Sequence, residues 1–304
     1  PVTARPVPRC HRRRVRPVIE LDGATVLLQW AAGGWLFLWV TTRRREVGLG
    51  YGWLQRLTFL GLSALSLAAA FLTSPTWERE IMTMAFIATG VVALIVSIAR
   101  KSAGVAGQRE VVERRSARVA AMTGIDREEQ RFDKSAEEFP PSLDLAAAIV
   151  GMIAVVVASW EAGSAEGVEL LSILRGVTSA LFLGVLSDAM LLGHWYLVQP
   201  GLARAPILEQ VRWARILWVP ETIVFVIPTG MWSVLNGDID DAYNGLLGWF
   251  WVASVLGTGA LILVCRLALK ERQYSAVMAA TGLMYLAILT GFGQDIVARV
   301  LLSP

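Results

Sequence analysis

Cysteine and histidine are scarce in this sequence, with two residues of each among 304. Cys10 and Cys265 lie far apart and have no CxxC or CxxH neighbours, so neither a thiolate metal site nor a disulfide framework is predicted. The sequence also lacks a P-loop, a GxGxxG at a strand-to-helix junction, HExxH and GxSxG. We therefore expect no metal site, no catalytic residue and no covalent catalysis by this chain alone.

Charged residues are also few. They make up 17% of the chain, whereas hydrophobic residues make up 55%, and this balance is typical of an integral membrane protein. The net charge of +3 is too small to indicate nucleic-acid binding. The apolar runs do not alternate with polar residues as barrel strands do, so the predicted spanning elements are helices.

Eight apolar runs approach or exceed the length that crosses about 30 Å of hydrocarbon. We predict an all-α integral membrane protein, a bundle of about eight transmembrane helices with a long cytoplasmic loop. The predicted spans are 23–42, 51–72, 81–99, 143–160, 168–198, 206–235, 244–269 and 273–302. Residues 1–22 are a basic N-terminal extension with six arginines, and residues 23–304 are a single polytopic transmembrane domain.

The distribution of Lys and Arg predicts the orientation. The segment TTRRREVG, the loop at about 100–142 and the segment LKERQ are rich in basic residues, which places them in the cytoplasm under the positive-inside rule. The connections SPTWERE, EAGSAEGVE and NGDIDDAYN are neutral to acidic and are predicted outside. We expect a multi-pass protein of a bacterial-type inner (plasma) membrane, although the basic extension falls on the outer side in this scheme.

The segment SDAMLLGHWYLVQP, residues 187–200, places Asp188 and His194 in an otherwise apolar run. Ionisable groups at membrane depth are costly and usually pair or serve a function. Counting from the turn near residue 201 puts Asp188 level with Arg215 of the next run. We expect these two residues to form a buried ion pair that either fixes helix register or handles protons.

His194 is the only histidine predicted at membrane depth, whereas a transmembrane b-type haem usually takes two axial ligands. We therefore expect no haem. Haem binding would require either a His–Met ligand pair or a second histidine from another subunit. Trp195 and Tyr196 add an indole and a phenol donor. A hydrogen-bonded structural histidine and a contact to a quinone head group both fit this pattern.

The sixth run contains Pro220 and Pro228, each of which removes a backbone donor. Glu221 lies at the first kink, and a kinked helix with a carboxylate can line an ion or proton path. The alternative is a packing helix whose Glu221 is neutral or paired with Arg175 or Arg212. In the last run, Asp295 and Arg299 have the spacing of an ordinary helical ion pair.

These features favour a haem-free membrane subunit of a respiratory or other electron-transfer complex, which contacts quinone in the cytoplasmic-side half of the bilayer. The candidate quinone- or ligand-binding residues are His194, Trp195, Tyr196, Arg212 and Glu221. In helix number and in its lack of paired haem ligands, the chain resembles the eight-helix membrane anchors of molybdenum-dependent reductase complexes. This similarity is one of architecture and assigns no residue roles.

Two other functions remain open, a structural membrane subunit and a secondary transporter or channel that uses the charged residues of the fifth and sixth runs. No sequence repeat between the two halves supports an inverted-repeat transporter. The expected partners are the lipid bilayer and the proteins of a membrane complex, and not nucleic acid. We expect no covalently bound or metal cofactor, and the candidate small-molecule ligands are quinone and, at the kinked sixth run, a lipid-like molecule.

Overall fold

A computed structural model describes residues 22–123, 132–133, 135–164, 167–199, 201–227 and 230–302. The predicted basic extension lies outside these residues except for Asp22, and so do residues 124–131 of the predicted cytoplasmic loop. Helices are the only regular elements in these ranges, which confirms the predicted all-α class.

The described part of the chain contains ten α-helices. They are α1 (Gly23–Thr42), α2 (Leu49–Leu72), α3 (Trp77–Ala99), α4 (Ala106–Thr123), α5 (Ser142–Ser164), α6 (Glu169–Val198), α7 (Ala205–Val226), α8 (Met231–Leu235), α9 (Leu246–Ala268) and α10 (Tyr274–Leu302). Seven of them, α1, α2, α3, α5, α6, α9 and α10, are long and apolar enough to cross a membrane. The fold is therefore consistent with a multi-pass membrane protein.

The long helices run up and down a bundle, and we name its two ends by residues. At the Asp22 end, Asp22 caps α1 by accepting hydrogen bonds from the Ala24 N–H and the Thr25 hydroxyl, both at 3.0 Å. The opposite end, where α1 stops and α2 starts, is the Thr42 end. The first helix begins and ends at the predicted residues because a capping aspartate precedes its apolar run and three arginines follow it.

The predicted sixth span, 206–235, is not one helix. Helix α7 ends at Val226, and the short helix α8 begins at Met231. Ile227 has extended backbone angles of φ −54° and ψ 136°, as expected for a residue that precedes a proline. Four charged residues also set α7 apart from the seven apolar helices; they are Glu209, Arg212, Arg215 and Glu221.

Helix α7 nevertheless follows the bundle from end to end. Near its start, the Gln210 amide donates a hydrogen bond to the Thr41 hydroxyl at 2.7 Å, at the Thr42 end. Near its finish, the Val224 carbonyl accepts a hydrogen bond from Arg175, which lies close to the start of α6. Within the described residues, α7 therefore runs alongside the seven apolar helices.

Helices α1 and α6 are the most buried of the candidate spans and cross at glycines. A methyl group built on Gly33 would overlap the main chain at Ala180, and one built on Gly184 would overlap the main chain of Gly33. Because glycine has no side chain, the two backbones come into contact here, as they commonly do where small residues lie between membrane helices. Around this pair, the outward faces of the bundle are apolar, with Leu57, Leu65, Ile95 and Leu289 all more than half exposed, and such faces suit lipid contact.

Candidate functional site

Asp188 of α6 is fully buried among neutral donors. Its Oδ1 accepts hydrogen bonds from the Tyr51 hydroxyl at 2.6 Å and from the Gln55 amide at 3.0 Å. Its Oδ2 accepts one from the Thr41 hydroxyl at 2.7 Å, and Gln210 donates in turn to Thr41. We call these five residues, which come from α1, α2, α6 and α7, the Asp188 centre.

The structure does not bring Asp188 and Arg215 together as predicted. Arg215 is exposed on α7, whereas Ala214 is the neighbouring residue that faces the core. Successive helical positions differ by about 100° around the axis. Counting residues therefore estimated the level of Arg215 along the helix, but it did not fix the direction of the side chain.

A buried ion pair joins α2 to α5 at the Thr42 end. Arg56 donates from Nε to Oδ1 of Asp144 at 2.8 Å and from Nη2 to Oδ2 at 2.6 Å. The Thr42 hydroxyl donates to the same carboxylate at 3.1 Å, and the guanidinium lies 4.2 Å from the ring centre of Phe139. The sequence alone does not indicate this role for Asp144, because the residue lies in the first turn of an apolar run.

Four of the five predicted ligand-binding residues lie toward the Thr42 end, at the end of α6 and near the start of α7. His194 and Arg212 are both exposed. The Trp195 indole donates to the Gln199 side chain at 3.1 Å, and the Tyr196 hydroxyl donates to a main-chain carbonyl in the turn that leads to α7. Trp195 and Tyr196 therefore stabilise the end of α6 and the α6–α7 turn.

The fifth candidate, Glu221, lies far from the other four. It is fully buried and accepts a hydrogen bond from the Ser179 hydroxyl at 2.9 Å. Ser179 precedes Tyr196 by 17 positions in the same helix, which corresponds to about 25 Å along the axis. The predicted constellation is therefore split between two levels of the bundle.

A cavity of about 190 Å³ opens at the Asp22 end, between α1, α3, α5, α6 and α10. Arg79, Arg175 and Arg299 line it, together with Gln29 and Ser159. Each of these five residues is at most 5% exposed. We call this feature the end cavity, and its walls offer guanidinium, amide and hydroxyl groups to a ligand.

Hydrogen bonds to carboxylates and carbonyls fix the arginines of the end cavity. Arg79 pairs with Asp22 and with Glu80. Arg299 donates to Oδ2 of Asp295 at 2.8 Å, which confirms the predicted helical pair, and to Oε1 of Gln29 at 2.5 Å. These bonds fix the positions of the guanidinium groups that line the cavity.

Arg175 connects the end cavity to the C-terminus of α7. Its Nε donates to the Val224 carbonyl at 2.9 Å, and its Nη2 donates to the Ile227 carbonyl at 3.2 Å. Carbonyl groups in the last turn of a helix have no partner within that helix. Arg175 therefore satisfies the end of α7 and holds it beside the cavity.

An apolar groove follows α5 away from the end cavity. It has a volume of about 300 Å³ and is lined by Leu36, Ala148, Ile149, Met152, Ile153 and Val156. A second, open pocket of about 570 Å³ shares Val156 with this groove and Glu161 with the end cavity. The polar cavity and the apolar groove, which we call the α5 groove, therefore adjoin through this pocket.

Gln29 and Ser159 are hard to recognise in the sequence because each is a single polar residue between apolar neighbours, and Arg79 lies between two glutamates in the predicted outer connection SPTWERE. One signal was present in α6, where Ser172, Arg175, Ser179 and Ser187 recur at helical spacing. The polar face becomes apparent only when these four positions are compared around the helix axis.

No protein-family model matches the chain, and no curated protein and no solved structure matches it either.

Proposed function

We propose that the chain is a haem-free membrane subunit of a respiratory or other electron-transfer complex, and that a quinone places its head group in the end cavity. The open pocket that links the end cavity to the α5 groove along α5 carries this proposal. A quinone has a polar ring and a long apolar tail, and ligand sites commonly join apolar walls to a few placed polar groups. Ile149 and Ile153 of the groove are about half exposed, so a tail lying there would also contact lipid.

The residues of the end cavity suit the ring of a quinone. Gln29, Ser159 and Arg299 carry donor groups for its carbonyl oxygens. Reduction to the quinol takes up two electrons and two protons, and the electrons would come from a redox partner of the complex. Asp295 accepts a hydrogen bond from Arg299, and the buried carboxyl group of Glu221 lies near both of these residues. These two carboxyl groups would carry the protons.

This proposal moves the quinone away from its predicted place in the cytoplasmic-side half. In this arrangement the quinone does not contact His194 and Arg212, which lie on the surface, or Trp195 and Tyr196, which stabilise the α6–α7 turn. Glu221 remains a functional residue because it would carry protons. Under the positive-inside rule the Thr42 end, which carries Arg43 to Arg45, faces the cytoplasm of a bacterial-type cell. The end cavity then opens toward the outer side, and α7 is the eighth membrane crossing.

A proton or ion transporter is the second candidate. It is favoured by the polar residues that occur at several levels of α6, from Ser172 near one end to Asp188 in the other half. A purely structural subunit is favoured by the Arg56–Asp144 pair, which joins two helices without forming a site. Purified protein that moves protons or solute in liposomes and holds no quinone would support the transporter.

Purification in mild detergent, followed by solvent extraction, tests the proposal first. We expect bound quinone in the extract and redox proteins among the partners that co-purify. An extract that contains phospholipid alone would contradict quinone binding.

A pair of matched variants then tests the place of binding. Ala162 lines the end cavity, whereas Ala68 lies exposed on α2, away from the residues that line it. Ala162→Phe should weaken the binding of decylubiquinone, measured by tryptophan fluorescence, at least about tenfold, because the new ring takes the place of the quinone head group. Ala68→Phe should leave it unchanged; equal effects of the two variants would reject the end cavity as the site.

A further inference from the structure

We propose that the Asp188 centre binds a sodium ion. This site is distinct from the end cavity, and the inference does not depend on quinone binding. It follows from the charge of the centre and from the oxygen atoms that surround it.

The charge of the centre favours a monovalent cation. All hydrogen-bond partners found for the Asp188 carboxylate are neutral, and they come from Thr41, Tyr51 and Gln55. The nearby guanidinium of Arg56 is already paired with Asp144. An ionised carboxylate buried without a counter-charge is costly. One positive charge neutralises Asp188, whereas a divalent ion would leave an excess charge in a buried place.

The oxygen atoms favour a metal ion over a proton. Oε1 of Gln55 and Oε1 of Gln210 are buried and accept no hydrogen bond from the described residues. A proton on Asp188 would provide a donor for one oxygen only. A hard cation coordinates several oxygens at once, and the centre offers carboxylate, hydroxyl and amide oxygens from four helices.

A small movement turns the hydrogen-bonded centre into a coordination shell. Both glutamines now direct Nε2 toward neighbouring oxygens. A half-turn of the terminal amide exchanges nitrogen and oxygen without moving the backbone, so that Oε1 of Gln55 and Oε1 of Gln210 face the ion. The hydroxyl oxygens of Tyr51 and Thr41 lie 2.6 and 2.7 Å from the carboxylate oxygens of Asp188. Because the centre is this tightly packed, it needs to expand less to enclose a sodium ion than to enclose the larger potassium ion.

Thermal unfolding in detergent at fixed ionic strength tests this inference. Sodium chloride should raise Tm saturably, by roughly 2 to 8 °C, because an ion that binds only the folded protein stabilises it. Potassium chloride and N-methylglucamine chloride should not. An equal response to all three salts, or no response to sodium, would overturn the proposal.

Two adjacent residues of α1 provide matched variants. The Thr41 hydroxyl donates to Asp188, whereas the Thr42 hydroxyl donates to Asp144. We expect Thr41→Val and Asp188→Asn to abolish the sodium response and Thr42→Val to retain it. If Asp188→Asn does not fold, the two threonine variants decide, and retention of the response in Thr41→Val counts against the site. Equilibrium binding of radioactive sodium to the same proteins should give the same order.

Discussion

Arg56 of α2 and Asp144 of α5 form a two-bond ion pair inside the bundle, with N–O distances of 2.8 and 2.6 Å. Neither side chain is more than 1% exposed. The pair joins the starts of two helices that are separated in sequence by α3 and α4. Removal of one partner would leave the other as a buried charge without its counterpart.

Single neutral substitutions of this pair should therefore destabilise the protein strongly. We expect Arg56→Gln or Asp144→Asn to lower the free energy of unfolding by about 3–5 kcal/mol, and the double variant Arg56→Met with Asp144→Leu to recover much of the loss. Arg114→Gln is the control, because its pair with Glu110 is exposed and should contribute at most about 1 kcal/mol. Thermal unfolding in detergent measures all four proteins, and a double variant that is less stable than both single variants would contradict this account.

The crossing of α1 and α6 predicts a strict size limit. Gly33→Ala should destabilise the bundle by about 1–3 kcal/mol, because the new methyl group meets main-chain atoms of Ala180 that cannot move alone. Gly282 of α10 has no atoms within 4 Å of the same position, so Gly282→Ala should be neutral or stabilising by up to about 1 kcal/mol. The difference in Tm between the two variants tests the crossing, and equal values would argue against close backbone contact.

The stability of the protein in the acid pH range should depend on the charge of Asp241. Its carboxylate accepts hydrogen bonds from the backbone N–H groups of Gly245 at 2.7 Å, Leu247 at 2.9 Å and Tyr243 at 3.0 Å. The bond from Gly245 contributes most to lowering the pKa of Asp241 below its usual value. Because the pKa of Asp241 is lower in the folded state, the ionised carboxylate stabilises the protein at pH values above its unfolded-state pKa of about 4. This stabilisation is lost as the pH falls through the folded-state pKa.

We therefore expect Asp241→Asn to be less stable than the wild type at pH 7 and to approach it as the pH falls toward about 3. To measure this effect, the difference in Tm between Asp241→Asn and the wild type is determined at several pH values. Asp238→Asn removes an exposed carboxylate of the same loop and is the control for the loss of one negative charge. A Tm difference for Asp241→Asn that does not change with pH would contradict the role of the charge.

Local features of the sequence predicted the helices better than the sites. The apolar runs and their polar boundaries located the long helices to within a few residues, and only the break before Pro228 divided one of them. The two polar centres depend on which way each side chain points and on helices distant in sequence. Arg215 illustrates the first difficulty, and the meeting of Gln29 with Arg299 across most of the chain illustrates the second.

Photoaffinity labelling with an azido-quinone tests the central proposal most directly. The labelled protein would be digested and the modified peptides identified by mass spectrometry, with excess decylubiquinone as competitor. The account predicts competed labelling of α5 around residues 156–162, which line the open pocket and the end cavity, and of α6 near Arg175, which lines the end cavity. Competed labelling at His194 and Arg212, or labelling that excess quinone does not reduce, would contradict it.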